Sequence, residues 1–187
     1  FRVKQGANTN VVLNTLFKYT ALQSSFSINN VALVGGRPRT LSLKDMLKTF
    51  VDFRHEVVVR RTKFDLEKAL RRAHILEGLL KAIDVIDEII AIIRASRSVD
   101  DAKATLMAPF GFDDVQASAI VEMRLRQLTG LEKDRLQAEY DELEKFIARC
   151  REILASDAEQ LAIVKQESAD LKARYGDPRR TEITLSE

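Results

Sequence analysis

From Leu131 to Tyr175, apolar residues recur at Leu136, Tyr140, Leu143, Ile147, Cys150, Leu154, Leu161, Val164, Leu171 and Tyr175, mostly in alternating steps of four and three with charges between. That spacing gives a helix one narrow apolar seam to lay against a partner helix. Asp157 and Ser168 are its only interruptions. The run predicts a single helix of roughly 65 to 70 Å at about 1.5 Å per residue, longer than the helices of compact domains. A second run supplies its partner. Ser42 with Asp45 three residues on is a capping signal, and apolar positions follow at Leu43, Met46, Leu47, Phe50, Val51, Val57 and Val58. They continue at Ala69, Ala73, Leu76, Leu80, Ile83, Ile86, Ile90 and Ile93, which predicts one helix from Leu43 to Arg94. Gly78 inside it costs about 1 kcal/mol relative to alanine, so a bend or a close helix approach is expected there.

Between the two long runs the pattern shortens. Ser98 with Asp101 opens a helix to Met107 that Pro109 and Gly111 break; Asp113 with Gln116 caps another running to Leu128; Thr129 with Glu132 caps the long helix. Tyr175-Gly176-Asp177-Pro178 ends that helix, and Thr181 to Leu185 reads as a short strand. At the other end, a helix from about Asn10 to Tyr19 precedes extended chain at Ser25–Ile28 and Asn30–Val34. Gly35-Gly36 then signals a two-residue hairpin, with Pro38 demoting its second strand to an edge. The fold class is therefore mainly α. Its parts are a base segment (1–41), an antiparallel coiled-coil arm (42–81 with 131–175), a small helical knob at the arm's tip (82–130) and a returning strand or linker (176–187). Pairing the long helices places the hairpin and the closing strand together at the base.

Composition agrees with an elongated helical object. Of 187 residues, 31% are charged and only 6% aromatic, a poor basis for one rounded core. The net charge of +2 conceals an uneven division: +9 over residues 1–81, −5 over 82–122 and −2 over 123–187. Cys150, the single cysteine, lies on the seam as a small hydrophobe and has no internal disulfide partner, which points to a reducing, cytosolic setting. There is no run of eighteen apolar residues and no signal peptide, so no membrane association is expected. The start at Phe1 suggests a piece of a longer polypeptide.

Five stretches in order carry a family resemblance: Ile28-Asn29-Asn30-Val31-Ala32-Leu33, then Phe53-Arg54-His55-Glu56-Val57-Val58-Val59-Arg60-Arg61-Thr62, then Arg72-Ala73-His74-Ile75-Leu76-Glu77-Gly78-Leu79, then Arg124-Leu125-Arg126-Gln127-Leu128-Thr129-Gly130-Leu131-Glu132, and Tyr175-Gly176-Asp177-Pro178-Arg179-Arg180-Thr181-Glu182-Ile183. Together they resemble the DNA-cleaving A subunits of bacterial type IIA topoisomerases. Thr129 to Glu132 and Arg180 to Ile183 look more like DNA gyrase than topoisomerase IV, and the short knob matches the compact form. The resemblance implies that this piece is the coiled-coil arm and exit gate, whose knob meets its twofold mate and closes a cavity holding the transported duplex. It implies a homodimer through the knob, with Ile120, Met123, Arg124, Leu125, Gln127 and Leu128 at the interface. By helical phase these cannot all face one way, and a role for the whole set in the knob core stays open. The gyrase B subunit is implied too, in the role of partner. Mg²⁺ and ATP are assigned to that partner, leaving no cofactor here. The nucleophilic Tyr of the family lies upstream, so the piece alone is expected to be inactive within an ATP-dependent isomerase. Lys18-Tyr19-Thr20 copies the nucleophile's context only superficially, with no base or carboxylate cluster beside it.

The remaining signals have bland alternatives. Arg54, Arg60, Arg61, Lys63, Lys68, Arg71 and Arg72 form a basic band, with Arg54, Arg60 and Arg61 as DNA-contact candidates; the alternative is a solvated face balanced by Asp52, Glu56, Asp65 and Glu67. His55 and His74 stand too far apart, without Cys, for a metal site, and Asp84, Asp87 and Glu88 read as a solvated face. Arg179-Arg180, next to Asp177-Pro178, reads as fixing the chain reversal at the arm's base, with a contact to DNA or the next domain as the alternative. A stand-alone arm gripping structured RNA would need a basic or aromatic tip, whereas this one is acidic, with only Phe110 and Phe112.

Overall fold

A computed structural model describes residues 2–123 and 130–183. The described chain is mainly helical with one small antiparallel hairpin. It divides into two units, residues 1–50 and 51–187, the division falling within one long helix.

The first unit holds helix α1 (Thr9–Tyr19), strands β1 (Val31–Val34) and β2 (Arg37–Thr40), and the start of helix α2 (Leu43–Asp84). Asn8 caps α1 by accepting from the Asn10 amide. Gly35 and Gly36 take φ of 59° and 76°, the left-handed pair that a two-residue turn requires, and they set Val34 opposite Arg37 and Leu33 opposite Pro38. Ser42 Oγ accepts from the Asp45 amide and donates to its carboxylate, opening α2 as the spacing predicts. Ser25–Ile28 joins no strand, and Phe26 is 90% exposed. None of the described residues of this unit is buried.

The second unit pairs the rest of α2 with two helices, α6 (Gly130–Ala155) and α7 (Asp157–Tyr175). Cross-helix contacts run from Asp84 with Lys133, through Arg72 with Glu139, to Arg54 with Glu167, so the pairing is antiparallel. Ala69, Ala73 and Ile147 are buried in the seam, with Leu66, Tyr140 and Leu143 packed against them. The expected single helix from Leu131 to Tyr175 is broken at Ser156. Its backbone is extended there, and its hydroxyl accepts from the Glu159 amide to start α7. Ser156 and Glu159 have the spacing of a capping box, a local signal inside the apolar pattern. The break changes the helical phase. Gln160 is 3% exposed, whereas Leu161, expected on the seam, is 46% exposed; Leu171 and Tyr175 are exposed as well. Thr181–Ile183 forms no strand, and the remainder of that expected strand lies outside the described residues.

The expected helix to Arg94 is also two. Val85, at φ −119° and ψ 33°, separates α2 from α3 (Ile86–Ala95). No glycine, proline or side-chain cap marks this break; tertiary packing imposes it by turning Ile89 into a core with Leu76, Leu79 and Ala82. Helix α4 (Val99–Phe110) starts at Ser98, which accepts from the Asp101 amide. It runs through Pro109 in its last turn, three residues beyond the expected end, and stops at Gly111 in the left-handed conformation. Helix α5 (Asp114–Val121) has the predicted Asp113/Gln116 capping box but ends well short of Leu128. Thr129, the expected cap of α6, lies outside the described residues. Leu106, Phe112, Ile120 and Leu136 complete the knob core.

At Gly78 the Gln116 side chain of α5 lies directly against α2. A Cβ there would stand 2.8 Å from Gln116 Cγ and 2.9 Å from its Cβ, too close to be relieved by moving the amide end alone. In an open helix Gly→Ala stabilises by about 1 kcal/mol. Here Gly78→Ala should instead destabilise by about 1–3 kcal/mol through overpacking, measured as a lower urea midpoint. The α6–α7 junction gives a second test. Gln160→Leu should cost about 1–3 kcal/mol by stranding buried polar partners. Leu161→Gln should change the midpoint little, the reverse of what an unbroken seam predicts.

Candidate dimer surface and charged arm face

Helix α3 carries isoleucine at positions 86, 89, 90, 92 and 93 in its ten residues, more apolar surface than one packed face needs. Ile89 is 1% exposed and Ile120 of α5 is 2% exposed; they form the floor of an open groove of about 280 Å³. Ile86, Ile90, Ile93, Val121 and Met123 rise half-buried around it, and exposed Arg94 stands at its lip. The sequence pattern assigns Ile86, Ile90 and Ile93 to the seam of the first helix. The break at Val85 redirects them to this groove. Of the six interface candidates, Ile120 is a core residue that floors the groove and Met123 lies on its wall. Arg124, Leu125, Gln127 and Leu128 lie outside the described residues.

The basic band of α2 separates into two sets. Glu167 of α7 takes Arg54 Nη2 on one carboxylate oxygen at 2.5 Å and Arg61 Nη2 on the other at 2.7 Å. The hydrogen bond from Arg61, with Arg54 behind it, holds the Glu167 carboxyl below its ordinary range. Arg72 grips Glu139 of α6 through Nε at 2.7 Å and Nη2 at 3.0 Å, a bidentate pair that lowers the carboxyl pKa and raises that of the guanidinium. Arg71 pairs with Glu67 one turn away. These pairs are substantially exposed, so each contributes about 0–1 kcal/mol to stability and serves mainly to fix register. Arg60, Lys63 and Lys68 are exposed and join no ion pair among the described residues. Sequence reasoning could not separate these sets, because Glu167 lies 113 residues from Arg54 and 106 from Arg61.

Both histidines are hydrogen-bonded within the fold. His55 Nε2 donates to Gln160 Oε1 at 2.6 Å, while Gln160 Nε2 donates to the Ile153 and Leu154 carbonyls at the end of α6. His74 Nε2 lies 2.6 Å from the Asp113 carboxylate, and Gln116 Nε2 donates to the His74 carbonyl. The Gln116 amide, and after it His74, lowers the Asp113 pKa. Asp84 pairs with Lys133, and Asp87 and Glu88 are exposed in the first turn of α3. No three His, Cys, Asp or Glu side chains converge to hold a metal ion among the described residues. Tyr19 is 74% exposed with Lys18 5.4 Å above its ring; Tyr140 is half-buried beside the seam. Arg180 pairs with Asp177, and Arg179 donates to the Thr181 carbonyl, which together tie the segment after α7. No described helix is long and apolar enough to cross a membrane.

The paired helices carry a polar ladder that fixes their register, and the knob presents an apolar groove among the described residues. Residues 1–169 match the family model for the A subunits of DNA gyrase and topoisomerase IV, and the chain belongs to that family. Among its relatives, the DNA gyrase A subunit of Clostridium acetobutylicum is 49% identical over 185 residues, 99% of this chain and 22% of the relative. The same protein from Streptococcus pneumoniae serotype 4 is also 49% identical, with the same coverage. That of Deinococcus deserti is 47% identical over 97% of this chain and 22% of its own length. The chain thus spans about a fifth of the length of the curated relatives it matches.

Asp113, Glu139 and Glu167 all titrate below the ordinary carboxylate range in the folded chain. A depressed folded pKa stabilises above the unfolded value and is lost as pH falls through the folded one. The melting temperature should therefore begin to drop near about pH 4 and fall further below it. Glu167→Gln should flatten part of that drop, as followed by circular dichroism.

Proposed function

We propose that this chain is the arm and exit-gate segment of the A component of a DNA gyrase, acting as a homodimer through its knob. The observation that carries this reading is the apolar groove between α3 and α5, open to solvent directly before residue 124. Two copies brought together there by a twofold axis would bury their groove walls. Such an interface is small, which suits a gate that must hold during strand passage and part again in each cycle. In the parent enzyme the cycle is ATP-dependent passage of one duplex through a transient double-strand break in another. Its cleaving component works there with a B subunit that binds ATP and Mg²⁺, in the cytoplasm. This segment contributes no nucleophile and takes no cofactor; of its tyrosines Tyr140 packs beside the seam, whereas Tyr19 and Tyr175 are exposed. The names of the relatives favour gyrase over topoisomerase IV.

In sedimentation, the chain should dimerise with a Kd on the order of tens of micromolar or tighter. Ile90→Glu with Ile93→Glu should give a monomer of unchanged helicity. A native chain that stays monomeric at about 100 µM would overturn the proposal.

A further inference from the structure

We infer that the phosphate-contacting surface of the arm is the outer face of α2 carrying Arg60, Lys63 and Lys68, and that its ligand is the backbone of duplex DNA, held without base readout. The inference rests on the topoisomerase reading and selects among the cations of the band. A cation already hydrogen-bonded to a carboxylate releases little counterion from DNA, because it must first give up its own partner. By that criterion Arg54 and Arg61, both closed on Glu167, are structural, as are Arg71 with Glu67 and Arg72 with Glu139. Arg60, Lys63 and Lys68 remain exposed, with no ion pair among the described residues.

These three side chains rise over about 12 Å of helix axis, a length of duplex that carries about seven phosphates. Their acidic neighbours on α2 do not cancel them. Glu67 is committed to Arg71, and half-buried Asp65 lines the shallow groove toward Phe146, leaving exposed Asp52 and Glu56 against three cations. Two large rings share the face: Phe53 is 55% and Phe64 60% exposed. With Arg60 between them they lie within about 40° of one another around the helix. Paired bases offer a duplex no free face for such rings to stack on, whereas a single strand does. The rings therefore separate the two ligands.

The test measures binding of the 187-residue chain to a fluorescent duplex oligonucleotide across a salt series. The variant R60Q/K63Q/K68Q should lower the slope of log K against log salt by about 2 to 3. The charge-preserving R60K/K63R/K68R should keep the native slope. R54Q/R61Q, checked for helicity, should also keep it, and F53A/F64A should leave duplex affinity unchanged. A native chain with no salt-dependent duplex binding would overturn the inference, as would an unchanged slope in the triple glutamine variant or an equal loss in R54Q/R61Q. Tighter binding of a single strand that F53A/F64A abolishes would replace the duplex with that ligand. Sedimentation of the same samples reads the knob separately: failure of the gate proposal appears as a monomer whatever the salt slope.

Discussion

A narrow apolar seam joins two helices only where both keep their phase, and the junction between α6 and α7 is where this hairpin would lose it. Ser156 interrupts the helix and leaves carbonyls of the last turn of α6 without intrahelical partners. Gln160, 3% exposed, takes the place that an apolar residue would hold. Its amide nitrogen satisfies the Ile153 and Leu154 carbonyls, and its oxygen accepts from His55 across the seam. One side chain thus closes the end of α6 and ties α2 to the junction. With Val58 and Val164 also buried, Gln160 is enclosed with both ends of its amide partnered, the condition under which a buried polar group specifies one register.

The elements read correctly from the sequence are those set by neighbours in the chain. The Gly35-Gly36 turn, the Ser42 cap and the Asp113/Gln116 box each need three or four consecutive residues, and the structure has all of them. Gly78 was legible as a close approach, though not as an approach to Gln116 in particular. The break at Ser156 was also written locally, in the spacing of Ser156 to Glu159, but apolar residues at Leu154 and Leu161 masked it. They stand seven apart and imitate an uninterrupted heptad. The break at Val85 had no local signal, since it comes from packing Ile89 against residues of α2 and α5. Candidate site residues divide in the same way. The arginines of the band were visible, whereas their partners Glu139 and Glu167 depend on which turn of α2 faces which turn of α6 or α7.

The two breaks have opposite consequences for surface chemistry. At Ser156 the chain turns a polar residue inward and an apolar one outward while the hairpin stays closed. At Val85 it turns excess isoleucine away from the seam and onto an open groove. The core beneath that groove is already complete. Leu76 and Leu106 are fully buried and Ile120 is 2% exposed without any second copy. A partner covering the groove would therefore remove only the half-buried walls from water, leaving the knob folded when it departs. That division lets an interface be weak without making the element that carries it weak.

Charge follows the same division. Cations of α2 that face α7 or α6 are spent on Glu167 and Glu139, and their exposure makes each pair a small contribution to stability. What they supply is orientation: a carboxylate shared by Arg54 and Arg61, nearly two turns apart on α2, fixes where α7 lies along it. The cations one step around the helix gain nothing from the hairpin, since among the described residues no acid from α6 or α7 reaches them. An ordinary solvated face would balance both signs, and this one sets three cations, free among the described residues, against Asp52 and Glu56, Glu67 being committed to Arg71. Internal pairing thus sorts a basic band, which looks uniform in sequence, into a register device and a face whose positive field is left to act outward.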